Sequence, residues 1–122
     1  MTRKKIATEF LSLAAIGKID EAYDRYVHKD FIHHNPWFPG DRESLKNAMK
    51  ESHNQMPNKM FKPIRVLEDG DLVPVHSRLV RASDVPEIAV VHILRFDGDQ
   101  IIEEWEAAME VPKDSPNKNG IF

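Results

Sequence analysis

The sequence contains no cysteine. Disulfide-stabilised scaffolds, thiolate metal sites and cysteine nucleophiles are therefore excluded. It also has no long hydrophobic run: polar residues interrupt the segment from Ile6 to Ile16, and no stretch approaches the roughly 18 apolar residues of a membrane span. The charged start is not followed by an apolar signal core. We therefore expect a cytoplasmic protein with no membrane partner.

An excess of positive charge is also missing. Seventeen Lys and Arg residues face 20 Asp and Glu residues, which gives a formal net charge of −3. No general basic field is available for a nucleic acid backbone, so no nucleic acid partner is expected. The 122 residues are 41% hydrophobic and 30% charged, which is typical of a globular protein. We predict a single domain over residues 1–122.

Several familiar catalytic and metal-binding motifs are absent. The sequence has no G-x-S-x-G segment, no H-E-x-x-H segment and no glycine-rich phosphate loop. Histidine and carboxylate side chains from neighbouring strands could still bind zinc or iron, but no strand carries a His-x-His pair. The favoured prediction is a protein without a metal or another cofactor.

The first half of the chain is predicted to be helical. Apolar residues recur there at steps of three and four positions, and Gly17 is suited to a left-handed helix cap. The segment 31–40 has no helical period and is predicted to be irregular, because two prolines and a glycine interrupt it. The predicted helices begin near Lys4, Asp20 and Asp41 and end near Ile16, Lys29 and Pro57.

From Met60 the hydrophobic period changes to two, which predicts antiparallel strands. Asp69-Gly70 and Asp97-Gly98 are hairpin signals, and Pro63 and Pro74 indicate edge positions or bulges. The strand-like runs are Met60–Glu68, Leu72–Ala82, Glu87–Phe96 and Gln100–Glu110. Helices followed by a strand meander predict an α+β fold, with three helices packed on a curved antiparallel sheet.

Histidines and glutamates in the strands and in one loop are the candidate functional residues. His76 and His92 lie within apolar strand runs, where a histidine is either a hydrogen-bonded core residue or part of a cavity wall. Glu104 and Glu106 share one face of the last strand. This face is either an outer face in contact with solvent or a cavity wall, where burial would raise the pKa values of the carboxylates. The loop from His33 to Gly40 is polar and aromatic, as functional loops often are.

The register of the last hairpin decides between these alternatives. A two-residue turn at Asp97-Gly98 places His92 opposite Glu103, on the face of Trp105. A three-residue turn with a bulge places His92 opposite Glu104, with Glu106 as its diagonal neighbour. The sequence accepts both turns, so the pattern leaves the choice open.

The order of elements and two motifs resemble the SnoaL-like polyketide cyclases of the nuclear-transport-factor-2-like superfamily, and most of all the group described as predicted SnoaL-like aldol-condensation enzymes. The motifs are His34-Asn35-Pro36 and the Gly-Asp-Gln-Ile-Ile-Glu-Glu-Trp-Glu segment that begins at Gly98. The resemblance implies a conical α+β barrel, and it favours the register that brings His92 and Glu106 to one face.

The resemblance also implies roles for particular residues. Glu106 stands where the family has an acid/base Asp, and Glu104 stands where the family has a His. We expect a cofactor-free enzyme that removes a proton beside a carbonyl of a small hydrophobic substrate, in aldol-type cyclisation or isomerisation. The expected catalytic residues are Glu106 as base, His92 and His34, and the expected substrate-binding residues are His33, Trp37, Phe38, Phe31, His76 and Glu104. A homodimer packed through its sheet is expected, and a non-catalytic small-molecule binder and a dimerising interaction module are the alternatives.

Overall fold

Three helices and five strands form the structure, a computed structural model that describes all 122 residues. The helices are α1 (Arg3–Ala15), α2 (Ile19–Tyr26) and α3 (Arg42–Gln55). The strands are β1 (Val27–His33), β2 (Met60–Val66), β3 (Leu72–Val80), β4 (Ile88–Asp97) and β5 (Gln100–Glu110). The three predicted helices and the four predicted strands are present, with ends within a few residues of those expected. None of the helices has the length and apolar composition that a membrane crossing requires.

Local signals account for the ends of the helices. The Thr2 hydroxyl accepts a hydrogen bond from the Lys5 amide at the start of α1, and the Asp41 carboxylate accepts one from the Ser44 amide at the start of α3. Gly17, with φ of 93°, turns the chain between α1 and α2. The His53 ring occupies the space that a Cβ at Gly17 would need, so this turn also seats α3 against α1.

The sheet is mixed, with strand order β1-β5-β4-β3-β2. The predicted α+β fold is confirmed and the four predicted strands are antiparallel, but the sheet also contains β1, which lies parallel to β5. Residues 27–33 were predicted partly as helix and partly as loop; α2 instead ends at Tyr26, and the chain runs into β1. The partner of β1 lies some seventy positions further along the chain, so no local pattern reveals this pairing. The sheet is curved but does not close into a barrel.

One face of the sheet, here called the inner face, packs against the helices. Tyr23 of α2 contacts Phe10 of α1 and Phe31 of β1 through edge-to-face ring contacts, with centroids 5.6 and 6.3 Å apart. Val73, Val75 and the other buried strand residues complete a core of 16 buried side chains. The opposite, outer face carries no helix.

A bulge in β5 sets the register of the last hairpin. Asp97 pairs with Gln100 and Phe96 with Ile101, but Arg95 pairs with Glu103, so Ile102 is the extra residue. Neither register considered from the sequence is the observed one. Beyond the bulge His92 lies directly opposite Glu106. The bulge also turns Ile101 inward, where it is fully buried, whereas unbroken alternation along the strand would place it on the same face as Trp105.

Candidate active site between the helices and the sheet

A cavity of about 190 Å³ lies between the helices and the inner face of the sheet. Its volume is below that of most drug-binding pockets, which suits a small ligand. Twelve of its 18 lining residues are hydrophobic. The apolar walls include Phe10, Leu11, Leu45, Met49, Phe61 and Val90, and the ionisable lining residues are Tyr23, Lys59, Arg81, His92, Glu104 and Glu106.

His92 and Glu106 form a pair across β4 and β5. The His92 Nε2 lies 3.4 Å from a Glu106 carboxylate oxygen, and the Asn35 side-chain amide donates to the other oxygen at 2.5 Å. The Nδ1 of His92 is buried and has no protein partner, so Glu106 is the polar group that orients this ring. Both carboxylate oxygens of Glu106 are therefore engaged by the protein.

Glu104 lies deeper in the same cavity and is held differently. It is only 5% exposed, and no hydrogen bond contributes to the pKa of its carboxylate. The strand pleat brings it to the same face as Glu106, two residues further along β5, as the sequence predicted. The cavity therefore contains one carboxylate that is fixed by partners and one that is free of them.

The pKa values of these groups are shifted in different directions. Burial raises the pKa of Glu104 to about 7. The charge of His92 acts to lower this pKa, and the charge of Glu106 acts to raise it further. Burial acts to raise the pKa of Glu106 too, but the contact with His92, its charge and the hydrogen bond from Asn35 outweigh burial, so this pKa is lowered. Burial acts to lower the pKa of His92, but Glu106 and Glu104 outweigh it, so this pKa is raised.

The contact between His92 and Glu106 thus favours the charged form of both groups, and Glu104 beside them, with a pKa of about 7, exchanges its proton near neutral pH. Two carboxylates with different proton affinities at one apolar cavity are the arrangement that acid/base chemistry requires. Tyr23 faces the same groups. Burial, followed by the charge of Glu104, raises the pKa of its phenol, so the hydroxyl keeps its proton.

Asn35 reaches the site because hydrogen bonds of His33 hold the start of the loop after β1 in place. The His33 Nδ1 accepts a hydrogen bond from the Asn35 amide, so the ring donates from Nε2 to the Pro39 carbonyl at 2.6 Å. The Asn35 side chain also accepts from the Trp37 amide. His33 is buried but does not line the cavity, and its contacts give it a positioning function instead of the expected ligand contact.

His34 lies on the other side of the sheet. Its ring stacks on Trp105, with centroids 5.0 Å apart and planes 2° apart, and its Nε2 lies 2.7 Å from a Glu103 oxygen. The expectation that His34 donates into the cavity does not agree with this placement. His33 pairs with Glu104 across β1 and β5, and His34 is the next residue along the chain. Successive residues of an extended chain point to opposite faces, so His34 points to the outer face.

Four further expected binding residues also lie outside the cavity lining. Trp37 is 83% exposed and Phe38 is 40% exposed, because both occupy the turn that Asn35 begins. Phe31 is buried in the core against Tyr23, and His76 is on the outer face, where it stacks on Phe122. The alternation of β3 explains His76: its neighbours Val75 and Ser77 are the residues that point inward.

The structure thus brings together His92, Glu104 and Glu106 from the expected set. It adds Asn35 and Tyr23, which the sequence does not distinguish as site residues. Asn35 belongs to the His34-Asn35-Pro36 motif, but the motif does not show which of its side chains faces the cavity. Tyr23 has the periodicity of any core residue of α2. No group of three or more His, Asp or Glu side chains converges in a way that could hold a metal ion. The expectation of a cofactor-free protein stays a prediction.

Several solved structures of other proteins have a fold similar to this one. The chain resembles an uncharacterised cystatin-fold protein from Novosphingobium aromaticivorans, with 17% identity, TM-score 0.74, and 88% of this chain and 98% of that chain covered. It also resembles a protein described as a "putative polyketide cyclase" from Bacillus cereus, with 22% identity, TM-score 0.73, and 84% and 71% covered. A third is a nuclear-transport-factor-2-like protein of unknown function from Cytophaga hutchinsonii, with 14% identity, TM-score 0.70, and 89% and 91% covered.

Identities this low establish the fold alone, and it is the fold of the nuclear-transport-factor-2-like proteins. A search of curated proteins found no match. The model of the SnoaL-like domain family matches residues 7–104, which extend from α1 to Glu104 in β5 and cover most of the chain. The protein therefore belongs to the SnoaL-like domain family.

Proposed function

We propose that the protein is an acid/base catalyst that moves a proton on the carbon beside the carbonyl of a small, mainly apolar substrate, in an aldol-type cyclisation or an isomerisation. The observation that carries this proposal is the convergence of His92, Glu104 and Glu106 on one apolar cavity, with pKa values shifted in different directions. No cofactor takes part in the proposed reaction.

Of the two carboxylates, Glu104 is the better matched to accept the proton. A general base is most effective when its pKa is near the working pH, and the pKa of Glu104 is about 7. Glu106, which the family resemblance favours as the base, has a lowered pKa and is bound by His92 and Asn35. In this proposal Glu106 holds His92 charged beside Glu104.

The proposed step balances within the site. The Glu104 carboxylate takes a proton from the carbon, and the electron pair of the broken C–H bond forms an enolate whose charge rests on the carbonyl oxygen. The Tyr23 hydroxyl donates a hydrogen bond to that oxygen. In an isomerisation Glu104 then returns the proton to a different carbon of the conjugated enolate. In an aldol closure the enolate carbon attacks a second carbonyl, and Glu104 gives its proton to the alkoxide oxygen that forms.

Proton exchange with deuterated water tests this proposal without knowledge of the natural substrate. A panel of small ketones with aromatic or alicyclic substituents is incubated with the protein in D₂O, and loss of the signals of the protons beside the carbonyl is followed by NMR. We expect exchange with the wild type and its loss in Glu104→Gln. Glu103→Gln is the matched control, because Glu103 is the adjacent carboxylate on the outer face.

The outcome of this experiment separates the alternatives. Exchange lost in Glu106→Gln but kept in Glu104→Gln would return the base to Glu106. Ketone binding without any exchange would favour a non-catalytic binder on the same fold. A cavity filled with side chains would have favoured the third alternative, an interaction module. The cavity between the helices and the sheet is not filled, so it does not support that alternative.

We also propose that the outer face of the sheet forms a homodimer interface, as the sequence analysis expected. Its supporting feature is apolar surface that no helix covers: Met109 is 56% exposed, and Val91 and Ala107 lie beside it. Light scattering at micromolar concentration should give about twice the chain mass of 14.1 kDa, and a mass near 14.1 kDa would contradict the dimer. A cytoplasmic location stays a prediction from the sequence.

A further inference from the structure

Two cations line the cavity at a distance from the acid/base groups. Lys59 immediately precedes β2, and Arg81 immediately follows β3. The residues next to them, Met60 at the start of β2 and Val80 at the end of β3, pair with each other. Lys59 and Arg81 are therefore neighbours at one end of the sheet. His92 and Glu106 lie further along the neighbouring strands, so the cavity has a cationic end and an acid/base end.

These two cations have few protein partners. The Lys59 ammonium donates to the Ser52 hydroxyl of α3 at 2.5 Å and makes no ion pair. Arg81 donates to the Pro86 carbonyl at 3.0 Å, and its nearest carboxylate is that of Glu110, which lies 3.9 Å away and is 65% exposed. The Arg81 Nε is buried and has no partner.

Such an arrangement is unfavourable without an anion. Burial lowers the pKa of Lys59, and the charge of Arg81 lowers it further. Lys59 and Arg81 are only partly buried, but two neighbouring positive charges that have lost part of their hydration are still stabilised by an opposite charge. Ser52, Lys59 and Arg81 all line the cavity, so an anion that enters it can meet three donors at once.

We propose that Lys59, Arg81 and Ser52 bind a carboxylate group of the substrate. The substrate class is then a small apolar keto acid, with its carboxylate at the cationic end and its ketone at Glu104. This inference rests on the proposed function for the ketone end only; the carboxylate subsite stands on its own residues.

The two ends of the cavity are separated along the strands. Leu79, two residues before Arg81, pairs with Ile88, which is six residues along β4 from Leu94, the partner of Glu104. At a rise of about 3.3 Å per residue, Ile88 and Leu94 are about 20 Å apart. The side chains at both ends extend into the cavity, so the gap that a ligand must span is shorter than this.

A matched pair of probes tests the subsite directly. The probes are 4-oxo-4-phenylbutanoate and its primary amide, which have nearly the same shape and differ in charge. Their dissociation constants are measured by titration calorimetry at pH 7 for the wild type, for Lys59→Gln/Arg81→Gln and for Lys62→Gln. Lys62 is the matched control because it is an exposed lysine on β2, three residues after Lys59 and outside the cavity.

We expect the wild type to prefer the carboxylate by about tenfold or more, since hydrogen bonds between charged groups are among the stronger ones in proteins. The double variant should lose this preference and bind the amide within about threefold of the wild type, and Lys62→Gln should keep the preference. Equal binding of both probes by the wild type, binding of neither at millimolar concentration, or a preference that survives in the double variant would overturn the proposal.

Two additions keep the outcome decisive. If the double variant does not fold, Lys59→Gln and Arg81→Gln are measured singly, and each should narrow the preference at least threefold; an unchanged preference in both overturns the proposal. Deuterium exchange beside the ketone of the same probe is followed in parallel. A preference for the carboxylate probe without deuterium exchange contradicts the proposed catalysis and supports the carboxylate subsite. Deuterium exchange on ketones without a preference for the carboxylate probe contradicts the subsite alone.

Discussion

Glu103 and Glu104 are adjacent residues of β5, but their carboxylates lie in opposite surroundings. Glu103 is on the outer face, where it accepts hydrogen bonds from His34 and Arg95, and the bond with His34 leads the lowering of its pKa. Glu104 is on the inner face, where burial without a hydrogen-bond partner raises its pKa to about 7. One step along a strand therefore separates a structural ion pair from a carboxylate suited to proton transfer.

The two faces also divide the aromatic and histidine residues between them. On the outer face, Trp105 contacts both the His34 ring and the Arg95 guanidinium, which is 5.3 Å from the Trp105 ring centroid. On the inner face, the His92 ring packs edge-on against Phe61 and is paired with Glu106. The outer network satisfies its own charges and fixes the edge where β1 meets β5. The inner network leaves Glu104 free for a ligand.

The largest effect that follows from this comparison concerns proton exchange. Glu104→Gln preserves the shape of the side chain but cannot accept the proton, so the rate of ketone deuteration should fall by about 10² to 10⁴-fold. Glu103→Gln, one residue away, should change the rate less than about threefold. NMR measurement of both variants checks the difference, and equal rates in the two variants would remove the functional distinction between the faces.

Glu103 and Glu104 should contribute to the pH dependence of stability with opposite signs. Because the pKa of Glu104 is raised in the folded state, its proton stabilises the fold below the pKa of the unfolded chain, and this contribution is lost as the pH rises towards 7. The loss should be about 3 kcal/mol. Urea unfolding between about pH 4 and pH 8 should show this loss in the wild type and not in Glu104→Gln.

Glu103 provides the counterpart in the same measurement. Its lowered pKa means that its contribution to stability is present above the ordinary carboxyl pKa and disappears as the pH falls through the folded-state value. Glu103→Gln should therefore lose stability at neutral pH and converge with the wild type in acid. Parallel stability curves for the wild type and both variants would contradict the assignment of the two environments.

Local patterns are enough to predict most of the fold but not the site. The period change at Met60 and the caps at Gly17 and Asp41 are local signals, and the structure agrees with each of them. The bulge at Ile102 and the pairing of β1 with β5 depend on contacts between distant residues. These two features decide that His92 lies opposite Glu106 and that His34 points outward. The family resemblance correctly favoured His92 and Glu106 on one face, but the local pattern of the sequence showed neither the bulge nor the direction of His34.

Asn35 sharpens the comparison, because it extends from the same loop as His34 but reaches the inner face. Asn35→Asp keeps the acceptor for the Trp37 amide but replaces the donor to Glu106 with a like charge. We expect the pKa of Glu106 to rise and the exchange rate to fall about tenfold. NMR exchange and the pH–rate profile measure both effects.

The control for that variant is Asn47→Ala, on the exposed side of α3, which should leave the exchange rate unchanged. A pH–rate profile of Asn35→Asp identical to that of the wild type would show that the hydrogen bond of Asn35 has no influence on the charged pair. The rate alone would not suffice, because a loosened loop could also lower it.

The smallest effect is expected at His34, and it separates the two faces most directly. His34→Phe keeps an aromatic ring on Trp105 but removes the hydrogen bond to Glu103, which is partly open to water and should contribute about 1 kcal/mol to stability. Urea unfolding at pH 7 should show that loss, whereas the exchange rate should stay within about twofold of the wild type. A tenfold loss of exchange in a folded His34→Phe variant would mean that the outer face takes part in the chemistry, and the expectation from the family resemblance that His34 is catalytic would then be restored.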